Sequence, residues 1–157
     1  MYGAYRSMIK IITVGKIKEK YLIDGINEYL KRLSKYTKVN IIEVPDYDFD
    51  INKTLEKEKD NILKYVSSKD YVITLEIEGN NVTSTEFADK LNDVFNHNSD
   101  ICFIIGGSYG LHDEIKNMSN YKLSFSKMTF PHQMFRMILL EQIYRAFKIN
   151  NNESYHK

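Results

Sequence analysis

Ile101-Cys102-Phe103-Ile104-Ile105-Gly106-Gly107-Ser108-Tyr109-Gly110-Leu111-His112-Asp113, followed shortly by Leu123-Ser124-Phe125-Ser126-Lys127-Met128-Thr129-Phe130-Pro131, is the stretch on which the fold turns. An apolar run of strand length stops at two glycines, and a third glycine opens a helical segment. Glycine lets a backbone approach a bound group closely and adopt dihedrals that other residues resist. The free N–H groups at the start of the next helix then face that group. A nucleotide-like ligand is held in this way at the carboxyl end of a strand. The same loop also serves as a ligand-free strand-to-helix turn, and by itself it does not choose between the two.

Working outward, the other segments alternate in type. Met8–Val14 is rich in β-branched residues and ends at Gly15, which predicts a strand. Leu22, Ile26, Tyr29, Leu30 and Leu33 recur at helical spacing. Val39–Val44 predicts a second strand, ended by Pro45, which has no N–H for a ladder. Leu55, Ile62, Leu63 and Val66 mark a second helix, and Asp70–Glu76 a strand that ends near a turn at Gly79. Thr83 and Glu86 have the spacing of a capping box, with Phe87, Leu91, Val94 and Phe95 as the buried face of the helix they open. Beyond the glycine loop come a short helix near 111–118, a strand at Lys122–Ser126, and a helix that Pro131 suits as first residue. This alternation predicts an α/β fold with a mainly parallel sheet covered by helices on both faces. The helix from Met134 to Ile149 is apolar on nearly every side, so it needs cover from the sheet and also from a second copy of the chain, or else a central place in a monomer.

The totals fit one domain over 8–157, with residues 1–7 an extension outside it. The single cysteine, Cys102, excludes an internal disulfide and fits a reducing cytosol. No apolar run reaches membrane-spanning length, so no membrane is expected. The net charge of +1 conceals a division. Residues 1–40 carry nine Lys/Arg against three acids, residues 41–120 seven against sixteen, and residues 121–157 six against two. Such separation can fold into a basic face that attracts phosphate, though many enzymes share it without a polyanion partner. Lys16, Lys18 and Lys20 crowd one turn and are either phosphate contacts or a solvated cluster.

Several chemistries are excluded by spacing. Gly110 is followed by Leu111-His112, where a P-loop needs Lys-Ser/Thr. The glycines lack Rossmann spacing and come late in the chain. Ser108 misses the nucleophile-elbow pattern by one position. His97, His112, His132 and His156 lie well apart, and the Asp46–Asp50 loop lacks the calcium-loop continuation, so no metal is expected.

Val14-Gly15-Lys16-Ile17-Lys18-Glu19, the glycine loop, the 123–133 segment, Glu141-Gln142-Ile143-Tyr144-Arg145-Ala146-Phe147 and the terminal Tyr155-His156-Lys157 together resemble one family across 8–157. The chain is similar to the RlmH-type pseudouridine methyltransferases of large-subunit ribosomal RNA, in the SPOUT class. The resemblance implies a C-terminal trefoil knot, a cytoplasmic homodimer, S-adenosylmethionine as methyl donor, and methylation of N3 of a 23S rRNA pseudouridine on the assembled 70S ribosome. It implies cofactor contacts at Leu75, Gly106, Phe125, Ser126, Lys127, Met128, Thr129 and Phe130, and a catalytic cluster of Arg145, Tyr155 and His156. Two other readings stand beside it: the same chemistry on tRNA, and a non-enzymatic ribosome-associated dimer that binds a nucleotide.

Overall fold

The computed structural model describes residues 8–97 and 100–157; the extension expected at 1–7 lies outside the described residues. Five parallel strands form one sheet: β1 (Met8–Val14), β2 (Lys38–Val44), β3 (Tyr71–Asn81), β4 (Asp100–Ile105) and β5 (Tyr121–Ser124), in the order β2-β1-β4-β3-β5. Four helices connect them, α1 (Lys20–Leu33), α2 (Ile51–Leu63), α3 (Ser84–His97) and α4 (Asp113–Met118), and α5 (His132–Asn150) follows the last strand.

The near-continuous apolar runs of β1 and β4 follow from burial on both sides. Ile9, Ile11, Ile101, Phe103 and Ile105 face α1, α3 and α5, whereas Ile12, Val14, Cys102 and Ile104 face α2 and α4. Burial lifts the Cys102 thiol to about 12, so it is a core residue and not a nucleophile. At the head of α3 the capping box forms reciprocally: Glu86 N–H donates to Thr83 Oγ1 at 3.1 Å and Thr83 N–H to Glu86 Oε1 at 2.8 Å. Such a cap is worth about 1 kcal/mol.

Four local expectations change. The buried face of α2 is Thr54, Glu58, Lys59 and Ile62, while Leu63 is exposed and Val66 lies past the helix end. Charged residues take that face because Lys59 finds Glu56 at 2.5 Å and Glu114 at 3.3 Å. β3 does not turn at Gly79. It leaves register after Leu75 and pairs with β5 again at Asn80 and Asn81, so residues 76–79 bulge from the ladder. β5 ends at Ser124, two residues early, because Ser124 Oγ turns the chain by donating to Ser126 O at 3.2 Å. Pro131 caps α5 with ψ 130 and is not its first helical residue.

α5 lies against α1 and α3 with Leu139, Leu140, Ile143 and Ala146 buried. Its buried Arg136 joins three segments, donating to Glu43 Oε2 at 2.5 Å, Thr13 Oγ1 at 3.2 Å and Gly15 O at 3.2 Å. No helix among the described residues is long and apolar enough to cross a membrane.

Candidate active site

Every strand of a parallel sheet delivers its carboxyl end to the same edge, and here three neighbouring ends open into one cleft of about 880 Å³. The bulge after β3 supplies Leu75, Glu76, Ile77 and Glu78. The loop after β4 supplies residues 105–111, and the segment after β5, with the head of α5, supplies the rest of the lining. The volume lies within the usual range for small-molecule sites.

Gly106 shows why the glycines are needed. A Cβ there would stand 2.4 Å from the carbonyl oxygen of Gly110, closer than any side chain tolerates. The loop closes through Gly110 N–H on Gly107 O at 3.1 Å, with Gly110 at φ +78. Across the cleft, Ser126 Oγ accepts from Met128 N–H at 2.9 Å, which holds the 125–131 segment in a tight bend. Phe135 stacks on Phe125 at 5.9 Å and meets Phe130 edge-on at 5.4 Å, making an aromatic wall. Glu76 and Glu78 are the acidic groups on the other side, and the Glu76 carboxylate accepts from the buried Thr74 hydroxyl at 2.6 Å.

Of the positions singled out for a cofactor, Leu75, Gly106, Phe125, Ser126, Thr129 and Phe130 line this cleft together. Lys127 and Met128 do not; both are exposed, Met128 by 71%, because the bend turns them outward. Sequence reasoning did not single out Phe135, Glu76 or His132. Phe135 was hidden among the apolar residues of α5, and Glu76 had only its place at a strand end as a signal.

Arg145, Tyr155 and His156 form a second cluster. Arg145 donates to Glu141 Oε2 at 2.6 Å and to His156 Nδ1 at 3.1 Å, and lies over the Tyr155 ring at 4.8 Å. Tyr155 donates to the same Glu141 oxygen at 3.0 Å. Glu141 is therefore the hub, and its place one turn before Arg145 on α5 was the available signal. Burial, and then the bond to Glu141, push the Tyr155 phenol up to about 12, so it stays a neutral donor. The bond to Glu141 raises Arg145 above its ordinary range. A guanidinium only donates, so His156 Nδ1 accepts and a neutral imidazole keeps its proton on Nε2. None of the three lines the cleft. Ten residues of helix from Phe135 to Arg145 span roughly 15 Å.

Two acidic groups lie outside the cleft lining. Glu58, 4% exposed, sits with Asp46, Asp48, Ser108 and His132 around a smaller cavity of about 290 Å³ behind the glycine loop. Burial, with Asp46 nearby, raises its carboxyl to about 7, although a bond from the Tyr47 backbone opposes the shift. Glu56, His112 and Glu114 also converge, their ligand atoms within 4.8 Å of one another. Lys59 Nζ already bonds both carboxylates, so an ammonium stands where a metal ion would.

A parallel α/β sheet whose last three strand ends make a glycine-walled cleft defines a nucleotide-type binding enzyme. More specifically, residues 8–156 match the family described as predicted SPOUT methyltransferase, and the chain belongs to that family. A Methanococcus maripaludis protein provisionally named ribosomal RNA large subunit methyltransferase H is 58% identical, covering 95% of this chain and 99% of that one. Ribosomal RNA large subunit methyltransferase H from Clostridium botulinum is 53% identical with the same coverage. Among solved structures, the SpoU methyltransferase AviRb from Streptomyces viridochromogenes, in complex with the cofactor AdoMet, has a similar fold. Its TM-score is 0.50 at 10% identity, over 94% of this chain and 60% of that one.

Proposed function

We propose that this chain, acting as one domain over 8–157 in a cytoplasmic homodimer, methylates N3 of a pseudouridine in 23S rRNA on the assembled ribosome, with S-adenosylmethionine as donor. The observation that carries the reading is the convergence of Leu75, Gly106 and the 125–130 bend on one cleft. The names of the relatives at 53% and 58% identity support the choice of large-subunit rRNA. A trefoil knot in the return from β5 to α5 belongs to the same proposal and follows from the family resemblance.

The cleft suits the donor: apolar walls at Leu75, Phe125, Phe130 and Phe135 flank an adenine-sized ring, and the Gly106 backbone leaves room that a Cβ would fill. When bound, S-adenosylmethionine supplies an electrophilic methyl group on a sulfonium. Backbone groups of 125–130 read the adenine edge and orient that methyl, and Lys127 and Met128 contribute through their backbone. Glu76 offers a negative charge beside it.

The target nitrogen must lose a proton before attack. Arg145 then steadies the negative charge on the base, and Tyr155 helps orient it as a neutral donor. As placed, His156 presents an N–H, because its other nitrogen is engaged by Arg145. It becomes a base only after that bond is released. The roughly 15 Å between cluster and cleft is bridged when the tail of one subunit meets the cleft of the other.

The test is labelled methyl transfer to 70S ribosomes from a strain lacking this modification, run beside naked 23S rRNA and free tRNA. Transfer to 70S particles alone is expected, mapped to N3 of one pseudouridine. Preference for tRNA would replace the substrate. Binding of S-adenosylmethionine with no transfer to any of the three would support a non-enzymatic role.

A further inference from the structure

The segment between β1 and α1 stands at the carboxyl edge of the sheet, beside the head of α5, and is pinned by three bonds, two from α5 and one from β2. Arg136 donates to Gly15 O at 3.2 Å, Gln133 to Lys16 O at 3.3 Å, and Ile17 N–H to Glu43 Oε2 at 3.4 Å. The Ile17 side chain is 8% exposed, so the flanking Lys16 and Lys18 are turned outward and both are exposed. Among the described residues neither has an ion pair. Lys20 is held by Asp24 at 2.7 Å and Glu43 by Arg136 at 2.5 Å. Tyr21, the second residue of α1, is 64% exposed.

This charge pattern works against the helix it precedes. The amino end of α1 carries partial positive charge, yet its first turn holds no acid and Glu19 makes no side-chain capping bond. α3 and α4 follow the favourable rule, with Glu86 in one first turn and Asp113 and Glu114 in the other, while α2 and α5 share with α1 a first turn without acids. Exposed lysines kept where they cost stability, on a segment whose backbone is anchored, suit an external polyanion.

The surroundings limit the approach to one direction. The bulge wall of the cleft carries Glu76 and Glu78, and the cavity behind the glycine loop carries Asp46 and Asp48. Phosphates are repelled from both flanks and attracted along the exposed Lys16 and Lys18.

We propose that Lys16, Lys18 and Tyr21 form the track on which the RNA strand carrying the target nucleotide lies, the lysines on its phosphates and the tyrosine ring against a base. This rests on the rRNA reading above. The backbone that carries the lysines is already fixed through Gly15, Lys16 and Ile17, so the freedom lost on binding is that of the side chains alone.

The test measures 70S binding over a range of salt for the wild type, Lys16→Gln/Lys18→Gln, Tyr21→Ala, and a control pair at the opposite edge, Lys64→Gln/Lys69→Gln. The first pair is expected to weaken binding at least tenfold near 0.1 M salt. It should also flatten the slope of log affinity against log salt by about 1.4, about 0.7 for each single-strand phosphate released. Tyr21→Ala should weaken binding about tenfold with the slope unchanged, as a lost stacking contact does. Affinity for S-adenosylmethionine and thermal stability should stay at wild-type values or, for stability, rise. If the control pair matches the first pair, or if the first pair leaves affinity and slope unchanged while the wild type still methylates ribosomes, the track is overturned and the rRNA reading survives. A wild type that neither binds nor methylates ribosomes overturns both.

Discussion

The cleft and the tail cluster share helix α5 but are made in opposite ways. The cleft is a backbone object: two bends and a bulge meet at strand ends, and its most demanding position, Gly106, has no side chain at all. The cluster is a side-chain object, in which Glu141 gathers Arg145 and Tyr155, and Arg145 in turn holds His156. Strand-end loops set by a sheet are complete within one chain. The polar cluster on the helix and the short tail stands apart, and none of its residues lines the cleft. The difference teaches that donor binding and turnover should be separable by mutation.

The largest effect should come from Gly106→Val, which drives carbon into the Gly110 carbonyl. Calorimetry should show affinity for S-adenosylmethionine falling by 100-fold or more, with the tail cluster intact. Near-normal affinity would remove the cleft as the donor site.

Arg145→Ala should lower kcat by about 100-fold, as when one charge-stabilising donor is lost, while donor affinity stays within twofold. Co-expressed Gly106→Val and Arg145→Ala chains should regain activity, because one mixed subunit pair keeps an intact cleft facing an intact tail. Failure of the mixture to exceed either parent would show that cleft and cluster do not meet across subunits.

The smallest effect concerns Glu58, which supports the glycine loop from behind. Its carboxyl is raised to about 7 in the folded chain from an ordinary value of 4.5. Between those values the folded state holds a proton that the unfolded state has released, so stability falls as pH rises through the window and levels off above it. Glu58→Gln should remove that fall and gain on the order of 1–2 kcal/mol at pH 8 relative to pH 5. Thermal unfolding at the two pH values measures it, and parallel behaviour of wild type and variant would show that Glu58 does not titrate there. Turnover defects of tail variants should be unaffected, which keeps the two regions distinct.

Much of the fold was legible in the sequence because periodicity reports burial. The runs of β1 and β4 and the stripe Leu22, Ile26, Leu33 are what a two-sided sheet and its cover require. The buried face of α2 was not legible. Lys59 lies on that face between Glu56 of its own helix and Glu114, which comes from a distant one. Met128 was likewise placed by a local bend, through Ser126 Oγ, and no hydrophobicity pattern foretells that.

By itself the amino-acid order determined the alternating elements, the glycine loop and the polar residues at the end of the chain, since each depends on neighbours along the backbone. Only the tertiary structure decided that the ends of β3, β4 and β5 share one cleft, that Glu141 organises the tail, and that Lys16 and Lys18 point outward beside the head of α5. Those facts depend on strand order and on residues far apart in the chain, where packing and long-range hydrogen bonds, not local propensity, set the positions.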